Sequence, residues 1–309
     1  MLLKILTAFI SASLVIANSI PFGSAVTLCG LIKLLLPKGA YPSVTRVANV
    51  LMGQWISVNQ AIFWLINGSH FEIDDTTQLS RDKWYLVISN HRSWADIVIL
   101  CMVLAKRTPV PKFFLKQQLL YIPFIGQACW ALDMPFMRRY SRSYLLRHPE
   151  KHGKDLEATR RACEKFRSVP TTVVNFVEGT RYSHDKQQGS YQHLLPPKAL
   201  GMAQALSVLG EQFEEVIDVT LCYPGLDESQ SPFLALLCGE LSSVVVKLDS
   251  IPVTQAFRGD YLGDKHYKQH FKRWLEQRWR QKDRYLSRLI TLQGQDNQSL
   301  TTLISKDEQ

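Results

Sequence analysis

The chain has 309 residues, with 36 lysines and arginines against 27 aspartates and glutamates, a net charge of +9. That length can bury one large core, or one core plus a membrane-embedded segment, and the charge suits an anionic surface or substrate without saying which. Six cysteines, at 29, 101, 129, 163, 222 and 238, are scattered with no C-x-x-C pair; this argues for reduced thiols facing the cytosol, against a disulfide frame or a zinc site.

The first segment is unlike the start of a soluble domain. From Ile5 to Ile32 there are 28 positions without a charge, bracketed by Lys4 and by Lys33 and Lys38. About 20 apolar residues cross the ~30 Å hydrocarbon layer as a helix, so this run predicts membrane attachment. A cleaved signal peptide shares the positive start, but here the apolar stretch is longer and lacks an A-x-A site. Pro21-Phe22-Gly23 in its middle predicts a kink, or a hairpin that dips in and returns. A second uncharged run, Val47 to Ser69, mixes Trp55, Phe63 and Trp64 with Asn49, Gln54, Asn59, Gln60 and Asn67. It reads as an interfacial or core-packed helix as readily as a span.

After Gly68 the composition becomes that of an α/β domain. Runs rich in β-branched residues predict strands at Trp84–Ser89, Thr171–Phe176, Val216–Cys222 and Ser242–Leu248. Helical patterns fall between them at Trp94–Lys106, Asp155–Arg167 and Pro197–Leu209. The alternation predicts a single mixed sheet flanked by helices. Arg138–Lys154 is basic, and Ser183–His193 is a polar loop. Toward the C-terminus, Tyr267, Phe271, Trp274, Leu275, Trp279, Leu286 and Ile290 recur at helical spacing. Nine basic residues face Glu276 and Asp283 between Lys265 and Arg288. Such a helix suits an anionic headgroup layer, and it equally suits packing on the domain with a solvated basic face. No nucleic-acid motif accompanies the charge, so nucleic acid is the weakest partner reading. The expected organisation is 1–69 apolar anchoring helices, 70–250 the α/β domain and 251–309 a basic helical region.

The chemistry concentrates after the strand Trp84–Ser89. There His91 and Asp96 stand five positions apart in Asn90-His91-Arg92-Ser93-Trp94-Ala95-Asp96. A histidine in the turn after a strand is open to a substrate, and an aspartate one turn into the next helix can steady its ring, as a general base for an alcohol requires. Ser93-x-x-Asp96 also reads as a capping box that starts a helix, and the two readings are compatible. Further on, Glu178-Gly179-Thr180-Arg181 offers a close backbone approach, a hydroxyl and a guanidinium fork for phosphate, or simply a turn with an ion pair. Phe136-Met137-Arg138-Arg139 supplies two more guanidiniums, and Lys116 and Lys198 are weaker cationic candidates.

Taken in order, these segments resemble the four blocks of the glycerolipid acyltransferase family. The N-H-x4-D block matches at Asn90, His91 and Asp96, and F-[IM]-x-R at Phe136 to Arg139. K-x-E-L matches in part at Lys116 and Leu119, with Gln118 for glutamate; F-P-E-G-T-R matches with Val177 for proline. The last block, often V-x-P-V, reads Val216-Ile217-Asp218-Val219-Thr220-Leu221. That Asp-Val-Thr form resembles the branch holding eukaryotic 1-acylglycerol-3-phosphate and lysocardiolipin acyltransferases and bacterial relatives. The resemblance covers roughly residues 84 to 224. It implies acyl transfer from acyl-CoA or acyl carrier protein to a lysophospholipid hydroxyl, with no cofactor and no acyl-enzyme. His91 would be the base and Asp96 its support. Lys116, Arg139, Glu178, Gly179, Thr180, Arg181 and Lys198 would bind the phosphate and headgroup. It also implies a membrane enzyme, here expected at the cytoplasmic face of a bacterial inner membrane. Remodelling of lysocardiolipin or lysophosphatidylglycerol is the neighbouring reading. A membrane-tethered protein binding nucleic acid or anionic lipid through its basic helix is the reading from another class.

Overall fold

In the computed structural model the described residues are 2–68, 70–75, 77–137, 147, 157, 160–161, 164–187, 189, 191–226 and 230–293. The strands are β1 (His70–Asp75), β2 (Trp84–Ser89), β3 (Pro111–Phe113), β4 (Leu115–Lys116), β5 (Phe136–Met137), β6 (Thr172–Phe176), β7 (Phe213–Cys222) and β8 (Ser243–Pro252). Six of them form one sheet in the order β1-β8-β7-β2-β6-β3, and β4 and β5 make a small ribbon beside it. Only β7 and β8 run antiparallel within the large sheet, so the sheet is mixed, as expected. The helices are α1 (Leu2–Leu35), α2 (Tyr41–Asn67), α3 (Ala95–Leu104), α4 (Ile125–Ala131), α5 (Ala199–Leu209), α6 (Pro232–Cys238) and α7 (Lys265–Gln293).

The alternation of side chains along β7 assigns the two faces of the sheet. Val216 and Cys222 point into a core shared with α5 and α7, while Ile217, Val219 and Leu221 point into one shared with α2, α3 and α6. Burial on both faces explains why β2 and β7 read as near-continuous apolar runs. The edge strand β1 carries Glu72, Asp74 and Asp75, which hid it from the hydrophobic pattern. The basic stretch Arg138–Lys154 lies outside the described residues except for Arg147, whereas of the helical pattern expected at Asp155–Arg167 the described residues Glu157, Arg160, Arg161 and Glu164 are helical and lead into a 3-10 turn at Lys165–Ser168.

Of the two alternatives expected at Pro21, the hairpin is not formed there: α1 continues as helix through it. Just before it the helix is tied to α2: Asn18 donates to the Trp55 carbonyl at 3.1 Å, and the Trp55 indole donates to Ser19 Oγ at 3.1 Å. The chain returns instead through Leu36–Ala40 into α2, and Gly68, at φ 55°, ends α2. Both ends of α1 are fastened to the α/β domain. Lys4 pairs with Glu240 near one end, and Ser11 donates to the Leu237 carbonyl at 2.7 Å. At the other end Lys33 bonds the Ala131 carbonyl at 3.0 Å and Asp133 at 2.6 Å. Buried Lys112 caps the neighbouring Leu132 carbonyl at 2.8 Å, so two cations close the C-terminus of α4. Backbones touch where α1 crosses α4: a Cβ on Gly30 would lie 2.6 Å from that of Ala131. Among the described residues, α1 is the helix long and apolar enough to cross a membrane.

The C-terminal helix α7 is a packed helix. Phe271, Leu275, Trp279, Leu286 and Leu289 are buried against the sheet, so its aromatic face is not available to a headgroup layer. It also covers the sheet face opposite α2.

Candidate active site

At the end of β2 the ladder is continued by a side chain. Asn90 donates to the Leu221 carbonyl and accepts from its N–H, both at 2.9 Å, which frees the next residue to leave the sheet. His91 is then held at both backbone ends. Its N–H donates to Glu178 at 3.2 Å, and its carbonyl accepts from the Tyr182 N–H at 2.7 Å. The imidazole stacks on Phe176, with centroids 3.9 Å apart. Its Nδ1 lies 2.7 Å from Asp96 Oδ2, and its side chain is 14% exposed.

Asp96 is fully buried in the first turn of α3. Besides His91, its Oδ2 accepts from the Arg92 N–H at 2.6 Å and the Ser93 N–H at 2.8 Å. Its Oδ1 accepts from the Tyr223 hydroxyl. Half of the predicted capping box is therefore present, since Asp96 accepts from the Ser93 backbone. Ser93 Oγ accepts from the Ala95 N–H at 3.4 Å, in place of the Asp96 N–H that a full box would use, and from the Phe233 N–H at 3.1 Å. One carboxylate both starts the helix and meets the imidazole. Because an ionised carboxylate only accepts, the shared proton belongs on Nδ1, leaving Nε2 its lone pair.

Glu178 lines the small cavity beside His91, about 30 Å³ in volume, yet its carboxylate is occupied by backbone. Its Oε2 accepts from His91, and its Oε1 accepts from the Leu195 N–H at 3.3 Å. Burial pushes its carboxyl up to about 8, against the pull of those two N–H groups and of Lys282. Glu178 thus braces the His91 turn against the 195 loop from the wall of the cavity. Gly179, at φ 73°, closes the tight turn, its N–H donating to the Phe176 carbonyl at 2.9 Å. Thr180 is half-buried behind it. Arg181 is exposed, its guanidinium 5.1 Å from the Trp94 ring.

Lys198 joins the same cluster through its backbone, donating to the Val177 carbonyl at 2.6 Å, with its side chain exposed at the start of α5. Lys116, also exposed, pairs with Met137 in the β4–β5 ribbon, so two of the predicted blocks are neighbours. Arg139 lies outside the described residues. The sequence reading missed Tyr223, Phe176 and Asp283. Asp283 reaches from α7 to accept from the Gln192 and His193 N–H groups at 2.9 and 2.8 Å, and Leu286 and Ile290 of α7 line the cavity. The C-terminal helix is thereby part of the wall of the site. Tyr223 directly follows β7, and only the β2–β7 pairing, with Ser89 opposite Val219, brings it to Asp96.

The model of the family described as Acyltransferase matches residues 70–222. The chain is 22% identical over 254 residues to mouse 1-acyl-sn-glycerol-3-phosphate acyltransferase epsilon, covering 74% of this chain and 64% of that one. It is 24% identical over 190 residues to Arabidopsis thaliana 1-acyl-sn-glycerol-3-phosphate acyltransferase 3, covering 56% and 47%. It therefore spans less than two thirds of either relative. The crystal structure of the 1-acyl-sn-glycerophosphate acyltransferase PlsC from Thermotoga maritima shares the fold, with a TM-score of 0.51 at 15% identity over 89% of this chain and 93% of that one. Sequence blocks, domain and fold agree in supporting the glycerolipid acyltransferase family for this chain.

Proposed function

We propose that the protein transfers a fatty acyl group from the thioester of coenzyme A or acyl carrier protein to a free hydroxyl of a lysophospholipid such as 1-acyl-sn-glycerol-3-phosphate. The observation that carries this reading is the 2.7 Å contact between His91 Nδ1 and a fully buried Asp96 at the end of a parallel strand. In the reaction, Nε2 takes the proton of the acceptor hydroxyl while its oxygen attacks the thioester carbonyl. The C–S bond then breaks, and the imidazolium returns the proton to the departing sulfur. Asp96 supports the positive ring between these two transfers. Assistance of this kind contributes about 10²–10⁴ in rate. The remainder comes from holding oxygen, base and carbonyl in line.

Arg181, with Lys116, Lys198 and Arg139, supplies cations for the acceptor phosphate. Glu178 and Gly179 keep the loop that carries Arg181 against the backbone of His91. An acceptor with at least one acyl tail has to come from a bilayer, and the largely exposed apolar flank of α1 suits a leaflet. The soluble anionic donor places the catalytic domain on the cytoplasmic side, in bacteria that of the inner membrane. Supplying the purified protein with labelled acyl-CoA or acyl carrier protein and a panel of lysolipids tests the reading. Lysophosphatidate is expected to be acylated faster than lysophosphatidylglycerol or lysocardiolipin. Preference for either of the latter moves the enzyme to phospholipid remodelling, and product from none of them refutes the proposal.

A further inference from the structure

The second uncharged run of the sequence, now α2, keeps polar residues that acyl transfer does not use. Arg46, Asn49, Gly53, Ser57 and Gln60 recur at intervals of three and four, so they form one stripe along the helix. All five line a cavity of about 650 Å³ between α2 and the loops that enter β2, β3 and β6. Across it stand Arg81, Asp82 and Lys106. Arg81 Nε donates to the Lys106 carbonyl at 3.2 Å, which gathers these two cations at the end of α3. The lining thus carries three cations, Arg46, Arg81 and Lys106, against one carboxylate. Asn49 Oδ1 is buried there without a hydrogen-bond partner. Val50, on the rim, is 63% exposed, and Val47 one turn away is 54% exposed.

This cavity is separate from the catalytic site. His91 follows the C-terminal end of β2 whereas the cavity opens at its N-terminal end, and six residues of strand span about 20 Å. Its chemistry is specific. An excess of cations fits a phosphodiester. The exposed valines offer an apolar exit for acyl chains on the flank shared with α1.

We propose that this cleft holds the headgroup of an anionic phospholipid such as phosphatidylglycerol, as a bound lipid distinct from the acceptor. The inference uses the membrane attachment of the functional reading but none of its catalytic chemistry. The test measures, by native mass spectrometry of the detergent-solubilised full chain, how much added phosphatidylglycerol or phosphatidylcholine is retained. Wild type and His91→Ala are both expected to retain phosphatidylglycerol preferentially, whatever becomes of acyl transfer. Removing cations in Arg46→Gln/Lys106→Gln is expected to lower that retention about fivefold per charge. Gly53→Phe blocks the cleft without altering a charge. A Cβ there meets no atom within 4 Å, so the ring enters open space and the same loss is expected in a folded chain. Equal retention of the two lipids by wild type overturns the proposal, as does undiminished retention by Gly53→Phe. Displacement of phosphatidylglycerol by an equal concentration of inorganic phosphate also overturns it, by assigning the cleft to a soluble anion.

Discussion

Asp96 is fully buried and accepts four hydrogen bonds, from His91, Arg92, Ser93 and Tyr223, whereas Arg181, Lys116 and Lys198 are exposed. The two sides of the site obey different physics. A buried carboxylate survives only when its oxygens are satisfied by the protein, so the base assembly is complete before substrate arrives. Under the proposed function, cations that await a phosphate stay solvated until the ligand comes, and burying them beforehand would cost several kcal/mol each. Base geometry is therefore internal to the fold, while acceptor grip is completed by the acceptor. Mutations on the two sides should separate accordingly, turnover on one and apparent affinity on the other.

The largest separation is expected from Asp96→Asn. Steady-state assays should show turnover reduced about 10²–10⁴-fold with little change in the acceptor KM; unaltered turnover would remove Asp96 from the mechanism. Tyr223→Phe deletes one charge-assisted hydrogen bond from the same carboxylate, a loss of about 1.5 kcal/mol, or roughly tenfold in turnover. If that variant shifts KM and leaves turnover and its pH profile alone, Tyr223 does not act through the His91–Asp96 pair. On the other side, Arg181→Ala should raise the KM for the lysolipid about fivefold while turnover stays near wild type. An effect confined to the acyl donor would reassign Arg181 to donor binding.

Glu178→Gln should affect the rate least and be read through stability. The folded carboxyl titrates at about 8 against an ordinary value of 4.5, so between those limits the folded chain holds a proton that the unfolded chain releases. Wild-type stability should then fall as pH rises from 4.5 to 8 and level off above, a change on the order of a few kcal/mol. The glutamine variant lacks this titration, and urea unfolding at pH 5 and pH 8 should show a smaller difference than wild type. An equal difference would mean that Glu178 is already ionised in the folded chain.

What could be read from the sequence was local. The strand Trp84–Ser89 has the same limits in the structure, and the His91–Asp96 contact closes within one turn, so spacing alone suggested it. Tyr223 reaches Asp96 from 127 residues away through parallel strand pairing, which no local pattern encodes. Glu178 looked like a substrate ligand because its block is rich in polar groups; its burial depends on the 195 loop folding over it. The aromatic face of α7 had two readings from periodicity, and only the location of the sheet chose between them. The polar stripe of α2 was visible as composition, but a stripe becomes a cleft only once Arg81 and Lys106 stand opposite.

The most direct test of the central claim is single-turnover transfer of a labelled acyl group from its thioester to lysophosphatidate, with wild type and His91→Ala side by side and the protein mass recorded. The account predicts rapid product with wild type, an unacylated chain throughout, and product slowed at least about 10²-fold without the imidazole. Product at the wild-type rate from His91→Ala, or a stoichiometric acyl group on the chain, would contradict it.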